Sequence, residues 1–233
     1  MDNNKKTSEG VEKAALVQVV LPCPMKLDAG QYINLWMPTA QNGLSATLFD
    51  CARAASGGSV SFSAFVTGPH GISEPIAQYE SVLLIADGAG IAAMIPYLKK
   101  LIYGYNTLTC RTRRVHLVWQ LRTLDMAIVV ESSVNSLLKD DTVANGYILT
   151  ISIYVEFGGI VKLGNHERAF VYKGLADYRN IIQTEVSGNG EDDRGELLVM
   201  VSASDKTRDQ LRSIVRDFLH DKVTMTELEF QPH

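Results

Sequence analysis

The residues whose types and spacing could do chemistry begin at Asp87-Gly88-Ala89-Gly90. Before them runs Val82 to Ala86, apolar and long enough for a buried strand. After them Ile91, Met94, Ile95 and Leu98 follow at helical spacing. Strand, glycine turn and helix is a physical recipe for holding a pyrophosphate: glycines let the backbone come close, and the first free N–H groups of the helix point at the anion. The spacing fits G-x-G-x-x-A through Gly88, Gly90 and Ala93. Gly88, Ala89, Gly90, Ile91 and Ala92 are therefore the candidate anion-binding residues. A glycine turn between strand and helix is also often only a turn, so the motif by itself leaves both readings open.

Other chemistries fit less well. There is no G-x-S-x-G and no G-x-x-x-x-G-K-[ST], which removes the hydrolase elbow and the P-loop. His70, His116, His166, His220 and His233 are scattered, with no metal-ligand partner at helical spacing, so no metal is expected. His116, inside a strand pattern, reads as a packed residue. Cys23, Cys51 and Cys110 are odd in number and form no C-x-x-C, which argues against a disulfide framework and for a reducing compartment. No catalytic residue is assigned. The net charge of −4 gives no reason to expect nucleic acid as a partner. Arg111, Arg113 and Arg114 could neutralise phosphate, but such runs are usually solvated charge.

The elements that must position the glycine turn fall into two parts. Residues 14–67 read as strands: Ala15 to Leu21 alternates, and Gln31–Met37 and Ser59–Val66 are β-rich, with turns at Asn42-Gly43 and Ser56–Ser59. Gly68-Pro69-His70-Gly71 then marks a boundary, where proline fixes φ and glycines permit a change of direction. Beyond it strand and helix alternate. The spacing predicts a helix to about Ile102 that Gly104 ends, with Pro96 in its first turns. It then predicts a strand at Arg114–Gln120, a helix at Asp125–Leu138 and strands at Tyr147–Val155 and Phe170–Tyr172. A helix at Asp177–Val186, a strand at Glu196–Ser202, a helix at Thr207–His220 capped by Asp205 and a last strand at Thr226–Phe230 complete the pattern. Tyr97, Tyr103 and Tyr105 are expected to pack in a core or groove. Such alternation predicts a parallel, Rossmann-like sheet covered by helices, an α/β fold preceded by a small, incomplete antiparallel β-barrel.

Ligands of such sheets bind at the carboxyl ends of strands. Gly88–Gly90, Leu121-Arg122 and Ser202-Ala203-Ser204 would then share one edge. Where an NAD-preferring site places a carboxylate after the second strand, this sequence places Arg122, whose fork suits a phosphate. That favours NADPH over NADH, unless Arg122 is solvated or paired with Asp125. Asp87, just before the turn, would repel a phosphate unless it turns away to cap the helix.

At this point the sequence resembles a family. GQYINLW at Gly30–Trp36, GPHG at Gly68–Gly71, VLLIADGAGIAAMIPYL at Val82–Leu98 and RRVHLVWQLR at Arg113–Arg122 resemble, in this order, the C-terminal FAD/NADPH-binding portion of fungal ferric reductases. Those belong with the NADPH oxidases and the wider ferredoxin-reductase group. ELLVMVSASDKTRDQLRSIVRDFL and the closing ELEFQP fit the fungal branch. The resemblance implies ferric-chelate reductase chemistry: hydride passes from NADPH to FAD in a β-barrel, then electrons pass singly to haem in a membrane domain and on to ferric or cupric ions. It implies Gly88, Ala89, Gly90 and Ile91 at the pyrophosphate, Arg122 near the 2′-phosphate, and Gly68, Pro69, His70 and Gly71 beside the flavin. Tyr32 and Asn34 would lie in the strand before the flavin motif.

The sequence also departs from the family. GQYINLWMPTAQNGLSATLF contains no His-Pro-Phe followed by Ser or Thr, the flavin-strand motif, which argues against FAD here. Haem histidines and membrane helices are absent from this chain, and Val82–Leu98 is broken by Asp87, Gly88, Gly90 and Pro96, so it does not read as a span. Where the wider group has Cys-Gly-Pro, this sequence has Ser202-Ala203-Ser204; Ser202 could still bond a ligand. The expected organisation is a tail over residues 1–13, a truncated FAD-type β unit over residues 14–71 and an NAD(P)H-binding domain over residues 72–233. The family is integral to the plasma membrane with this part cytosolic; this chain alone reads as soluble. Two readings stand: an NADPH-dependent oxidoreductase domain whose partner is a haem-bearing membrane domain, and a truncated, non-catalytic remnant that binds nucleotide or is purely structural.

Overall fold

The computed structural model describes residues 19–21, 23–36, 63–142, 146–158, 168–188 and 195–228. Two short strands come first, β1 (Tyr32–Trp36) and β2 (Phe65–His70). They pair antiparallel, with Trp36 opposite Phe65 and Tyr32 opposite His70. The register slips between Tyr32 and Asn34. Gly68, Pro69 and His70 thus belong to a strand end, not to a free turn. The slip explains why proline is accepted there, since a bulge has no ladder bond for the missing N–H to break. Residues 15–18 of the expected strand at Ala15–Leu21 lie outside the described residues, and Val19–Leu21 are not in a strand; the turns at 42–43 and 56–59 and the first half of Ser59–Val66 also lie outside them.

The pair is tied to the main body through Tyr97. Its hydroxyl accepts from the Glu74 amide at 3.0 Å, and a Cβ at Gly30 would sit 2.2 Å from that oxygen. Gly30 has φ +87° and presses its bare backbone onto the phenol, so any side chain there would separate the two parts.

The rest is a three-layer α/β/α unit. In chain order it runs β3 (Ser81–Asp87), α1 (Ile91–Asn106), β4 (Arg114–Leu121), α2 (Asp125–Asp140), β5 (Leu149–Val155), β6 (Ala169–Lys173), α3 (Tyr178–Ser187), β7 (Leu197–Ser202), α4 (Asp205–Arg216) and β8 (Val223–Glu227). The six-stranded sheet has the order β6-β5-β4-β3-β7-β8, and every neighbouring pair is parallel. The chain builds outward from β3 to β6, then crosses back to lay β7 on the other side of β3. The strand order therefore switches between β3 and β7.

Burial follows from the pleat. Val82, Leu84, Ala86, Leu117, Trp119, Ile151 and Ile153 face α1 and α2, meeting Met94, Tyr97, Leu98, Leu101, Leu137 and Leu138. Leu83, Ile85, Val118, Val199 and Val201 face α3 and α4, meeting Ile181, Ile182, Leu211, Ile214 and Val215. A central strand buried on both faces must be apolar at every position, which is why β3 and β7 read as unbroken apolar runs.

Several boundaries move. Gly104 does not end α1; the helix continues to Asn106. A Cβ at Gly104 would lie 3.2 Å from Cys110, so glycine is there to let the returning chain pack close. Pro96 is inside the helix beyond its first turn, where its missing N–H leaves the Ala92 carbonyl without its helical donor. Tyr97 and Tyr105 are buried as expected, but Tyr103 is 70% exposed. The cap position of α4 is Ser204, and Asp205 is its first residue, paired with Arg208. α4 stops at Arg216, and Leu219, which continues the apolar spacing, is exposed in a separate 3-10 turn. β8 starts at Val223, earlier than the expected Thr226, because Lys222 takes a left-handed φ of 58° that turns the chain at once into the strand. No helix among the described residues is long and apolar enough to cross a membrane.

Candidate dinucleotide site at the carboxyl edge

β3 delivers Gly88–Gly90 to the sheet's carboxyl edge as a single 3-10 turn that leads directly into α1. The two glycines do different work. Gly88 has φ +52°, and a Cβ there would meet nothing within 4 Å, so this residue combines a left-handed backbone with an open outer face. A Cβ at Gly90 would lie 2.0 Å from the Ser202 carbonyl oxygen. Gly90 therefore lets the turn lie against the end of β7, where the strand order switches.

No side chain caps α1, and its first turn holds no acidic residue. The first N–H groups of a helix lack intrahelical acceptors, and together with the helix dipole they favour an anion. By contrast α3 is capped from within, the Asp177 carboxylate accepting from the Asn180 amide at 3.1 Å. Ala89 and Ala92 are exposed, while Gly90 and Ile91 are buried. The expected cap by Asp87 is not made: its side chain forms no capping hydrogen bond. Asp87 stands ahead of the 3-10 turn, and the first amide of α1, that of Ile91, donates to the Ala89 carbonyl within it. Asp87 is instead an electrostatic neighbour of Tyr178, whose phenol is pushed well above its ordinary range, first by burial and then by Asp87, Glu156 and Tyr154.

β4 supplies three residues to this edge. The indole N–H of Trp119, which is fully buried, donates to the Gly88 carbonyl at 2.9 Å and so pins the turn from beneath. Gln120, on the other face, reaches the loop after β6. Arg122 follows the strand, exposed, with no side-chain partner among the described residues; Asp125 accepts from Thr123 at 3.1 Å and is not paired with it. Trp119 was legible only as part of an apolar face, because its role depends on which strand end lies beside Gly88.

Ser202 ends β7 at the same edge, but its side chain is fully buried behind Gly90, with no hydrogen-bond partner for its hydroxyl. Gly68, Pro69, His70 and Gly71 lie at the end of β2 and just after it. His70 sits 5.6 Å from the Tyr32 ring and 3.3 Å from the Thr67 hydroxyl. No hydrogen bond or ring contact among the described residues joins them to the Gly88 turn. His116 is a packed polar residue, bridging Glu185 at 2.7 Å and Ser152 at 2.9 Å. Arg111 and Arg113 border a cavity of about 480 Å³ on the opposite, amino edge of the sheet.

Comparisons with known proteins agree with this geometry. Residues 79–156 match the family model described as "Ferric reductase NAD binding domain". The segment runs from just before β3 to just after β5, and so holds the glycine turn, Trp119, Gln120 and Arg122. The chain is 34% identical over 80 residues to the ferric/cupric reductase transmembrane component 2 of Schizosaccharomyces pombe; the match spans 34% of this chain and 14% of that protein. Among solved structures, it is similar to the CS-b5R domains of human Ncb5or in the NAD+ form, with a TM-score of 0.56, 14% identity, and coverage of 86% of this chain and 61% of that one. It is also similar to the ferredoxin reductase in carbazole 1,9a-dioxygenase, with a TM-score of 0.53, 15% identity, and coverage of 90% and 62%. The chain thus spans less than two thirds of these solved relatives. Residues 79–156 are thus similar to a ferric reductase NAD-binding domain, and they lie in a fold similar to that of ferredoxin reductases.

Proposed function

We propose that this chain binds NADPH along the carboxyl edge of its sheet, with the pyrophosphate against the amides of Gly88–Ile91 and the 2′-phosphate at Arg122. The observation that carries this reading is the uncapped N-terminus of α1, meeting the end of β7 at the point where the strand order switches. Ligands of open α/β sheets settle at that point. Trp119 holds the turn in place through the Gly88 carbonyl. Arg122 stands on the same edge with no side-chain partner among the described residues, and its planar fork suits a phosphate.

Bound there, NADPH would supply a hydride to an electron acceptor, as the resemblance to ferric reductases implies. The residues of this chain bind and orient the donor. For FAD the fit is poor: the sequence from Gly30 onward lacks His-Pro-Phe, and the β unit among the described residues is a single antiparallel pair of strands. No step is assigned to flavin contacts. A haem-bearing membrane domain is the proposed partner and the cytosolic side of the plasma membrane the proposed location, by resemblance to the family. The same missing motif, with Ser202 where the wider group has a thiol, favours a second reading in which the chain binds nucleotide without passing electrons.

Purified protein separates these readings. A yellow protein that prefers NADPH supports the reductase, and a colourless one that still binds NADPH supports the remnant. In calorimetric titrations Arg122→Ala should weaken NADPH about tenfold or more, the scale of a lost charge-assisted hydrogen bond, and leave NADH nearly unchanged. Equal losses for both would remove Arg122 from the 2′-phosphate.

A further inference from the structure

Gln120 is 5% exposed and sits near the end of β4, two residues before Arg122. Its side-chain oxygen accepts from the Ala176 amide at 2.9 Å. Its side-chain nitrogen faces the carbonyls of Leu121, Tyr154 and Gly174, each at 3.4 Å. The orientation is fixed by this surrounding: a flipped amide would turn its oxygen towards three carbonyls and its NH2 towards an N–H. One buried side chain therefore ties β4 to β5 and to the loop that leaves β6.

That loop leads back to the glycine turn. After Ala176 comes Asp177, the cap of α3, then Tyr178, whose buried phenol feels the charge of Asp87. Asp87 directly precedes Gly88, and in the β3–β4 register it is the direct partner of Gln120. The residue that clasps the loop therefore stands opposite the residue from which the turn departs. On the opposite face of the same strand, Trp119 holds the turn itself.

We propose that Gln120 is a positioning residue of the dinucleotide site: by clasping the loop at residues 174–177 from the strand position directly opposite Asp87, it fixes the end of β4 against the end of β3, from which the Gly88 turn departs, and so sets dinucleotide affinity. This rests on the NADPH reading given above. Gln120 acts by holding these strand ends in place. Only a side chain that offers an acceptor and a donor together serves both sides of the clasp. The titratable groups around it are Tyr154, Tyr172 and Tyr178, with Asp87, Glu156 and Asp177, and two exposed cations, Arg122 and Lys173, stand at the same edge. An introduced carboxylate inside the clasp would face the carbonyl oxygens of Leu121, Tyr154 and Gly174.

Gln120→Met and Gln120→Glu test this, with amide hydrogen exchange and NADPH titration on the same samples. Gln120→Met keeps the volume and removes the clasp; the amides of residues 174–177 should exchange faster, and NADPH affinity should fall about tenfold, as displacement of a site from a distance can do. Gln120→Glu still accepts from Ala176 but donates to the carbonyls only while protonated. Its NADPH affinity, relative to the parent at each pH, should fall as pH rises through the introduced carboxyl's titration, a profile that loss of packing alone would not produce. The Glu variant also serves if the Met variant does not fold. A loop freed in Gln120→Met with affinity unchanged overturns the proposal, as does a loop whose exchange is unchanged. Faster loop exchange in a protein whose parent binds neither NADPH nor NADH also overturns it, and locates the failure in the dinucleotide reading and not in the clasp.

Discussion

Asp141 has no exposed side-chain surface, yet it carries a carboxylate. It closes α2 and opens β5 at once, accepting from the amides of Ile148 at 3.2 Å and Leu149 at 3.0 Å. Arg168 pairs with it, donates to the Leu138 carbonyl at 2.7 Å and lies 3.7 Å over the Tyr147 ring. Removing one partner of a buried pair strands the other charge, which outweighs the modest net value of the pair itself. Arg168→Ala should therefore lower the unfolding free energy by about 3 kcal/mol in urea titrations; a loss below about 1 kcal/mol, the range of an exposed pair, would contradict this account. A second residue gives a pH signature. Tyr178 holds its proton above the ordinary value of 10.0, because burial and then the nearby Asp87 disfavour the phenolate. In the unfolded chain the phenol ionises near 10.0, so this contribution to stability is present below that pH and is lost as pH rises above it. Tyr178→Phe should flatten the decline in stability above about pH 10. An unchanged alkaline slope would remove the phenol from that effect. Neither Arg168 nor Tyr178 could be singled out from sequence, since both depend on partners brought near by the sheet order.

At the scale of elements, the strand–turn–helix unit was legible because its three parts carry their own signals: an apolar run, glycines and helical spacing. So was the positioning of Arg122 after the second strand. What spacing could not supply was the reason for each glycine. Gly104 looked like a helix stop, but it is a contact point with Cys110. GPHG looked like a turn, but the register slip absorbs Pro69 into a strand. The apolar spacing in α4 continued past Arg216 to Leu219, because periodicity carries no sign of where the chain leaves the sheet's cover. The two glycines of the turn before α1 make a test at this scale. Gly90→Ala forces a Cβ to 2.0 Å from the Ser202 oxygen, so the turn must move off β7. Overpacking of this kind costs about 1–3 kcal/mol. Gly88→Ala meets no atom and carries only the left-handed strain of φ +52°, about 1 kcal/mol. Thermal melts should therefore show the larger drop for Gly90→Ala; the reverse order would mean that the turn does not pack as described.

Across the whole molecule, one topological fact joins these residues. In a sheet whose strands are all parallel, every strand end points to the same edge, so Gly88, Arg122, the loop after β6 and Ser202 converge without being near in sequence. The parallel class could be read from the alternation of strands and helices; the order β6-β5-β4-β3-β7-β8, which puts the switch beside Gly88, could not, because no local signal records which strand returns to which side. The amino edge offers a competing location, a cavity where the cations Arg111, Arg113 and Lys222 stand beside the carboxylates Glu80 and Glu196. Amide hydrogen exchange with and without saturating NADPH decides between the two edges most directly. The account predicts new protection at Gly88 to Ala93, with the ends of β4 and β7 slowed beside it. Protection confined to the residues around Arg111, Arg113 and Lys222, or no protection at all, would contradict it.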